Sequence, residues 1–152
     1  MLKTAAPDWL RVAAAVIKRG DGTVLIARRS GPGPEGGRWE FPVGKLETGE
    51  SFRQCLVREL KEELAVDIEV RKLLCVVRHE VGPSGIELVV YEAGLVSGEP
   101  AALEHDGLLW AEPAAMEEGD FCEPDRPVVR LLKRERQAGD KTAAGRPEQK
   151  AG

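Results

Sequence analysis

Between Gly44 and Val66 the chain reads Gly-Lys-Leu-Glu-Thr-Gly-Glu-Ser-Phe-Arg-Gln-Cys-Leu-Val-Arg-Glu-Leu-Lys-Glu-Glu-Leu-Ala-Val. Leu56, Val57, Leu60 and Leu64 recur at three- and four-residue intervals, the helical period, and predict one amphipathic helix from Ser51 to about Ala65. At about 100° per residue these four side chains share a buried stripe, and Glu59, Glu62 and Glu63 fall together on a neighbouring face. Like charges at that spacing cost a few tenths of a kcal/mol per pair on an exposed helix and more where water is scarce. A bound cation reverses the sign. Two readings stand: a solvated acidic face, or a metal site.

The donors are hard oxygens without nearby Cys or His ligands, which suits Mg²⁺, with Mn²⁺ as the alternative, held by a few carboxylates plus substrate phosphates. Arg58 lies on the flank of the acidic face, where its guanidinium can pair with a carboxylate such as Glu50 and fix the loop against the helix. Gly44 and Gly49 bracket a tight loop before the helix. Gly44 can take a positive φ or let phosphate and metal approach the backbone.

Taken together, the segment resembles the Nudix box, Gly-x5-Glu-x7-Arg-Glu-U-x-Glu-Glu-x-Gly-U with U aliphatic. Gly44, Glu50, Arg58, Glu59, Leu60, Glu62, Glu63 and Val66 match it. Ala65 stands where the pattern has Gly, and Ala is less at ease in a left-handed helix ending.

Around the box, composition predicts one domain. The 152 residues are 42% hydrophobic and 32% charged, enough for one core and short for two. We expect a single domain over 1–137 and a disordered tail over 138–152, where Gly, Ala and charge replace any apolar period. Cys55, Cys75 and Cys122 are widely spaced and odd in number, so they read as reduced thiols. No segment is apolar enough to span a bilayer and residues 1–7 lack a secretory signal, which predicts a cytoplasmic location without membrane attachment. A formal net charge of −4 argues against a nucleic-acid polymer as partner, while a small anion needs only a local basic pocket and a cation.

Strands are expected at Leu10–Lys18 and Thr23–Arg29 around a Gly20-Asp21-Gly22 hairpin turn, then a mobile Gly- and Pro-rich loop over Ser30–Arg38. Trp39–Pro42 reads as a short strand. Asp67–Val81 and Ile86–Ser97 read as a long antiparallel hairpin, Leu108–Ala111 as a further strand, Pro113–Glu118 and Pro127–Gln137 as helices. The fold class is α/β, an α/β/α sandwich with a mixed β-sheet, close to what the Nudix resemblance implies.

The neighbouring stretch Arg38-Trp39-Glu40-Phe41-Pro42-Val43-Gly44-Lys45 is similar to the MutT-type branch, which hydrolyses nucleoside triphosphates to monophosphate and pyrophosphate. The resemblance implies metal ligation by Glu59, Glu62 and Glu63, by the backbone carbonyl of Val43, where that branch has Gly, and by Glu104 from a second loop. Glu59, Glu62 and Arg58 form the expected catalytic set, with Glu59 as base and Arg58 holding the loop. Phosphate contacts are expected from Arg28, Gly44 and Lys45. Base contacts are expected from Glu40, from Phe41 and Phe121, and from Asp125 in the segment before the last helix.

The alternatives for these residues are core packing for Phe41, solvation for Lys45, and a helix cap for Asp125. An ionised Asp125 only accepts hydrogen bonds, which favours the amino groups of cytosine or adenine; protonated in an apolar pocket it would donate to an oxidised guanine. His79 and His105 lack partners at ligand spacing and read as packing or surface residues.

The expected activity is therefore a divalent-metal-dependent pyrophosphohydrolase for cytosine nucleotides such as CTP, dCTP or 5-methyl-dCTP, serving nucleotide-pool sanitation and DNA repair as a monomer or homodimer. Competing readings are an 8-oxo-dGTP diphosphatase, to which Ser84 at the hairpin tip is ill suited because relatives can carry arginine there; an enzyme for ADP-ribose, NADH or dinucleoside polyphosphates; and a non-catalytic nucleotide-binding module, which would be expected to lose the box acids.

Overall fold

The computed structural model describes residues 8–144, with side chains for 9–136. Its central strand is β1 (Asp8–Ile17), and the alternation of that strand sets the layers. Val12, Ala14 and Val16 face one side, while Ala13, Ala15 and Ile17 face the other, and both sets are buried. Small alanines in the middle of a two-sided strand let flanking layers approach closely.

Against the Ala13 side lies α1 (Phe52–Leu64), whose Cys55, Leu56, Leu60 and Leu64 are fully buried. Each buried leucine contributes about 1.5–3 kcal/mol. Against the other side, Val128, Val129 and Leu132 of α2 (Arg126–Ala144) pack with Phe41, Met116 and Phe121. This is the expected α/β/α sandwich.

The mixed sheet has four strands in the order β4 (Val43–Lys45), β1, β6 (Ser84–Ser97), β5 (Asp67–Val81). β1 runs parallel to β6, with Ala13 opposite Val89, and antiparallel to β4, with Ala14 opposite Val43. The long hairpin of β5 and β6 is present as expected. A second, antiparallel sheet orders β3 (Trp39–Glu40), β2 (Val24–Arg28) and β7 (Gly107–Ala111).

Five expectations change. The Gly20–Gly22 turn does not make a β1–β2 hairpin: Lys18 and Val24 form one isolated bridge, and the chain then passes into the second sheet, because β1 already has partners on both edges. Val57 leaves the buried stripe of α1 and is 44% exposed, its place taken by Cys55, since the helix leans toward β4. The Ser30–Arg38 loop is bonded back on itself, Arg29 N–H to the Arg38 carbonyl at 2.9 Å and Gly37 N–H to the Arg29 carbonyl at 2.9 Å. Pro113–Glu118 is a short 3₁₀ turn over Pro113–Ala115, followed by two more at Glu118–Asp120 and Glu123–Asp125. Helix α2 continues through Ala144, past the expected start of the tail at 138; residues 145–152 lie outside the described residues.

Helix α1 has a sharp beginning. The Ser51 hydroxyl accepts the Gln54 N–H at 3.1 Å and the Gln54 side-chain oxygen accepts the Ser51 N–H at 2.9 Å, a reciprocal cap worth about 1 kcal/mol. Its end is at Ala65, which takes the left-handed conformation (φ 61°, ψ 35°) despite its Cβ and returns its N–H to the Lys61 carbonyl. It is the one non-glycine residue with positive φ among the described residues.

Candidate active site

The direction in which α1 leans decides which acids face inward. Counting about 100° per residue from Leu56, Glu59 and Glu63 fall roughly 60° and 20° to the β4 side, within the buried arc, whereas Glu62 falls roughly 120° away. Glu59 and Glu63 accordingly line a cleft of about 510 Å³ between α1, β4 and the loop before β7. The Glu62 side chain is 58% exposed and is not part of the cleft wall.

Gly44 is essential here for room. It has no positive φ; a Cβ there would run into the Glu59 side chain and close against the Cys55 sulfur. Gly49, by contrast, supplies the positive φ (84°) of the loop. Glu104 reaches the same cleft because its segment is pinned to the end of α1, Ala101 N–H to the Leu64 carbonyl at 2.9 Å and Leu103 N–H to the Glu63 carbonyl at 3.3 Å.

Arg58 organises the acids. Nε and Nη2 fork onto Glu50 at 2.5 and 2.9 Å, Nη1 bonds Glu59 at 2.5 Å and Glu62 at 3.3 Å, and Nη2 also reaches the Lys45 carbonyl at 3.2 Å. Under that guanidinium, and with a Glu47 N–H donated to it, Glu50 is held down to about 2. Glu63 moves the other way. Burial, a hydrogen bond with Glu59 and the charges of Glu59, Glu104 and Glu40 push it up to about 8.

The cleft is lined by Glu40, Glu47, Glu59, Glu63 and Glu104 against the cations Arg29 and Lys45. An anionic substrate meets net repulsion there unless cations accompany it. The hard carboxylate set suits a divalent cation, with Glu59, Glu63 and Glu104 lining the cleft and Glu62 outside its wall. Val43 also lines the cleft.

Other sequence assignments land differently. Arg28 is exposed with its guanidinium over the Trp39 ring at 5.8 Å and is absent from the cleft wall, where the next residue, Arg29, stands instead, 3.7 Å from Glu40. Arg28 ends β2 and Arg29 is the first residue beyond it, so one step along the chain exchanges the two arginines at the cleft. Phe41 and Phe121 are 0% and 2% exposed and stack on each other with centroids 5.5 Å apart. They are core behind the cleft, not an open platform for a base.

Asp125 is 4% exposed in the 3₁₀ turn before α2, and its carboxyl accepts the Phe41 N–H at 3.4 Å. Burial, then the charge of Glu40, holds that carboxyl well above the usual range. Glu40, 6% exposed, bridges this interior group to the cleft and is gripped by His105 Nε2 at 3.1 Å. His105, read from sequence as packing, is thus a cleft residue with a partner 65 positions away. A histidine directly after Glu104 was the available signal.

A mixed four-stranded sheet between two helices, with a Glu-rich helix opening onto an acidic cleft, is the arrangement of a Nudix-type hydrolase. The NUDIX domain family model matches residues 9–132, and the chain belongs to that family. It is similar to a CTP pyrophosphohydrolase of Escherichia coli K12, 35% identical over 120 residues covering 79% of this chain and 88% of the relative. It is also similar to a protein of Mycobacterium tuberculosis H37Rv described as a putative 8-oxo-dGTP diphosphatase 2, 37% identical over 124 residues covering 81% and 87%. The solution structure of the E. coli ORF135 protein superposes with a TM-score of 0.76 at 34% identity, covering 87% of this chain and 94% of that one. The chain is a Nudix nucleotide pyrophosphohydrolase, and no helix among its described residues is long and apolar enough to cross a membrane.

Proposed function

We propose that this enzyme hydrolyses nucleoside triphosphates to monophosphate and pyrophosphate, with cytosine nucleotides such as CTP, dCTP and 5-methyl-dCTP preferred. In this reading it clears altered nucleotides from the pool, as a monomer or homodimer. The carrying observation is that Glu59, Glu63 and Glu104 line the cleft together with Glu40, behind which the buried Asp125 carboxyl lies. Glu59, Glu62, Glu63 and Glu104, with the Val43 carbonyl, would hold Mg²⁺, or Mn²⁺ in its place, which would supply screening of phosphate charge and a lowered pKa for a bound water.

Lys45 and Arg29, both in the cleft wall, offset phosphate charge, and Gly44 leaves the backbone open to it. Glu59 serves as general base, with Arg58 holding both it and Glu50 in place. In the cytosine reading Glu40 and an ionised Asp125 accept from the exocyclic amino group of the base.

A second reading, hydrolysis of 8-oxo-dGTP, is favoured by one observation. A carboxyl at Asp125 held neutral by burial can donate to the O6 acceptor of guanine. Pyrophosphate release with Mg²⁺ across dCTP, CTP, 5-methyl-dCTP, dGTP, 8-oxo-dGTP, dATP, dTTP and ADP-ribose separates the two. Cytosine nucleotides should lead in kcat/KM. A lead by 8-oxo-dGTP selects the second reading, and a lead by ADP-ribose discards both.

A further inference from the structure

Behind the cleft lies a set of donors that phosphoanhydride hydrolysis does not require as a set. A carboxylate oxygen of Glu40, the sulfur of Cys122 and a carboxylate oxygen of Asp125 all lie within 4.8 Å of one another. The three residues are 6%, 2% and 4% exposed. The Cys122 thiol has no hydrogen-bond partner among the described residues. His105, its side chain 8% exposed, stands against Glu40 through Nε2, while its Nδ1 is buried and unpartnered.

Two carboxyls and a thiol in one pocket are poorly compensated. The charged group facing them from outside is Arg29, half exposed and 3.7 Å from Glu40, and Glu35 adds further negative charge. Burial and these neighbours push Cys122 up to about 12 and hold Asp125 well above the carboxylate range. A cation in their midst would let both ionise. The donor types say which cation: a sulfur with two carboxylates suits borderline Zn²⁺, with water completing four-coordination, whereas the all-oxygen set of α1 suits Mg²⁺.

We propose that Glu40, Cys122 and Asp125 form a Zn²⁺ site, its coordination completed by water, distinct from the carboxylates of α1 and opening onto the cleft through Glu40. Zinc bonds of about 2.0–2.3 Å set donor separations near 3.3–3.8 Å, so the cluster contracts by roughly 1 Å around the ion. Zn²⁺ displaces the proton of the Cys122 thiol and that of the Asp125 carboxyl to solvent, and forms bonds to sulfur and oxygen with no change in oxidation state. Because the same carboxyls are assigned to the base under the proposed function, Zn²⁺ and nucleotide then exclude each other. That competition rests on the proposed function; the metal site does not.

The test uses the metal-free full-length protein in excess Mg²⁺, titrated with Co²⁺ as a spectroscopic stand-in for Zn²⁺. One equivalent should produce a sulfur-to-cobalt charge-transfer band in the near ultraviolet, bleached by Zn²⁺. Cys122→Ser should abolish the band and Asp125→Asn should weaken binding more than tenfold, with circular dichroism melts reporting that both fold. Cys55→Ala and Cys75→Ala should leave the band unchanged. No band in the wild type, or a band that survives Cys122→Ser, overturns the site. The readout needs no turnover, so a different substrate ranking in the nucleotide panel leaves it untouched.

Discussion

Arg58 grips Glu50 through two nitrogens, at 2.5 and 2.9 Å, while a third nitrogen of the same guanidinium reaches Glu59. The pair therefore ties the loop before α1 to an acid inside the cleft. Glu50→Gln keeps the shape and loses the charge-assisted fork, so Arg58 is free to swing onto Glu59 and compete with metal. We expect a 10–100-fold loss in kcat or Mg²⁺ affinity. Glu50 also carries an acid limb of stability. Its folded value of about 2 lies below the unfolded 4.5, so the stabilisation is present above 4.5 and is lost as pH falls through 2. Urea midpoints of wild type and Glu50→Gln should converge across that window; parallel curves would show that the fork adds no stability.

The Glu62 side chain is 58% exposed and, among the described residues, is paired with Arg58 alone. Little packing depends on it. Glu62→Gln should lower kcat by roughly 10²–10³ if it holds metal or water in the transition state, with an unchanged melting temperature. Near-normal turnover would remove it from the site.

Glu63 titrates in the opposite sense from Glu50. Its folded value of about 8 lies above the unfolded 4.5, so in metal-free protein its contribution is fully present below 4.5 and lost as pH rises through 8. Melting temperatures in EDTA should fall across that range, Glu63→Gln should flatten the fall, and Mg²⁺ should bind more tightly at pH 8 than at pH 6. Equal Mg²⁺ affinity at the two values would mean that no proton leaves Glu63 on binding.

Helix α1 was legible because its signals are local: the apolar period and the acidic spacing lie within 15 consecutive residues, Ser51 to Ala65. Which acid faces inward was not, since it depends on how α1 leans on β4, and that is set by the approach of Gly44 to Glu59 and Cys55. The far wall was less legible still. Arg29, Glu40 and His105 meet there from the end of β2, from β3 and from the loop before β7, and strand spacing alone does not report which face of a second sheet turns toward the helix. Phe41 and Phe121 illustrate the same limit, because an aromatic beside a motif looks alike whether it stacks on a base or on another ring.

Ala65 stores strain that glycine would release. A left-handed alanine costs about 1–2 kcal/mol, against about 0.4–1 kcal/mol for the greater freedom of glycine in the unfolded chain. The residue is exposed, so no packing is lost. Ala65→Gly should raise stability by about 0.5–1 kcal/mol in equilibrium unfolding. A decrease would mean that the helix ending is held more cheaply than its dihedral angles imply.

Asp125 offers the sharpest test of base recognition because an isosteric replacement preserves its one structural bond. Asparagine can still accept the Phe41 N–H through its carbonyl, so Asp125→Asn should change stability by less than about 1 kcal/mol. Its amide also donates at every pH, whereas the carboxyl donates only while protonated. Two consequences separate recognition from support. The kcat/KM ratio of guanine to cytosine nucleotides should rise in Asp125→Asn, and that ratio should lose any dependence on pH that the wild type shows. If the ranking and its pH profile are both unchanged, Asp125 serves only to anchor the Phe41 backbone, and the base is read by Glu40 or by groups nearer the mouth of the cleft.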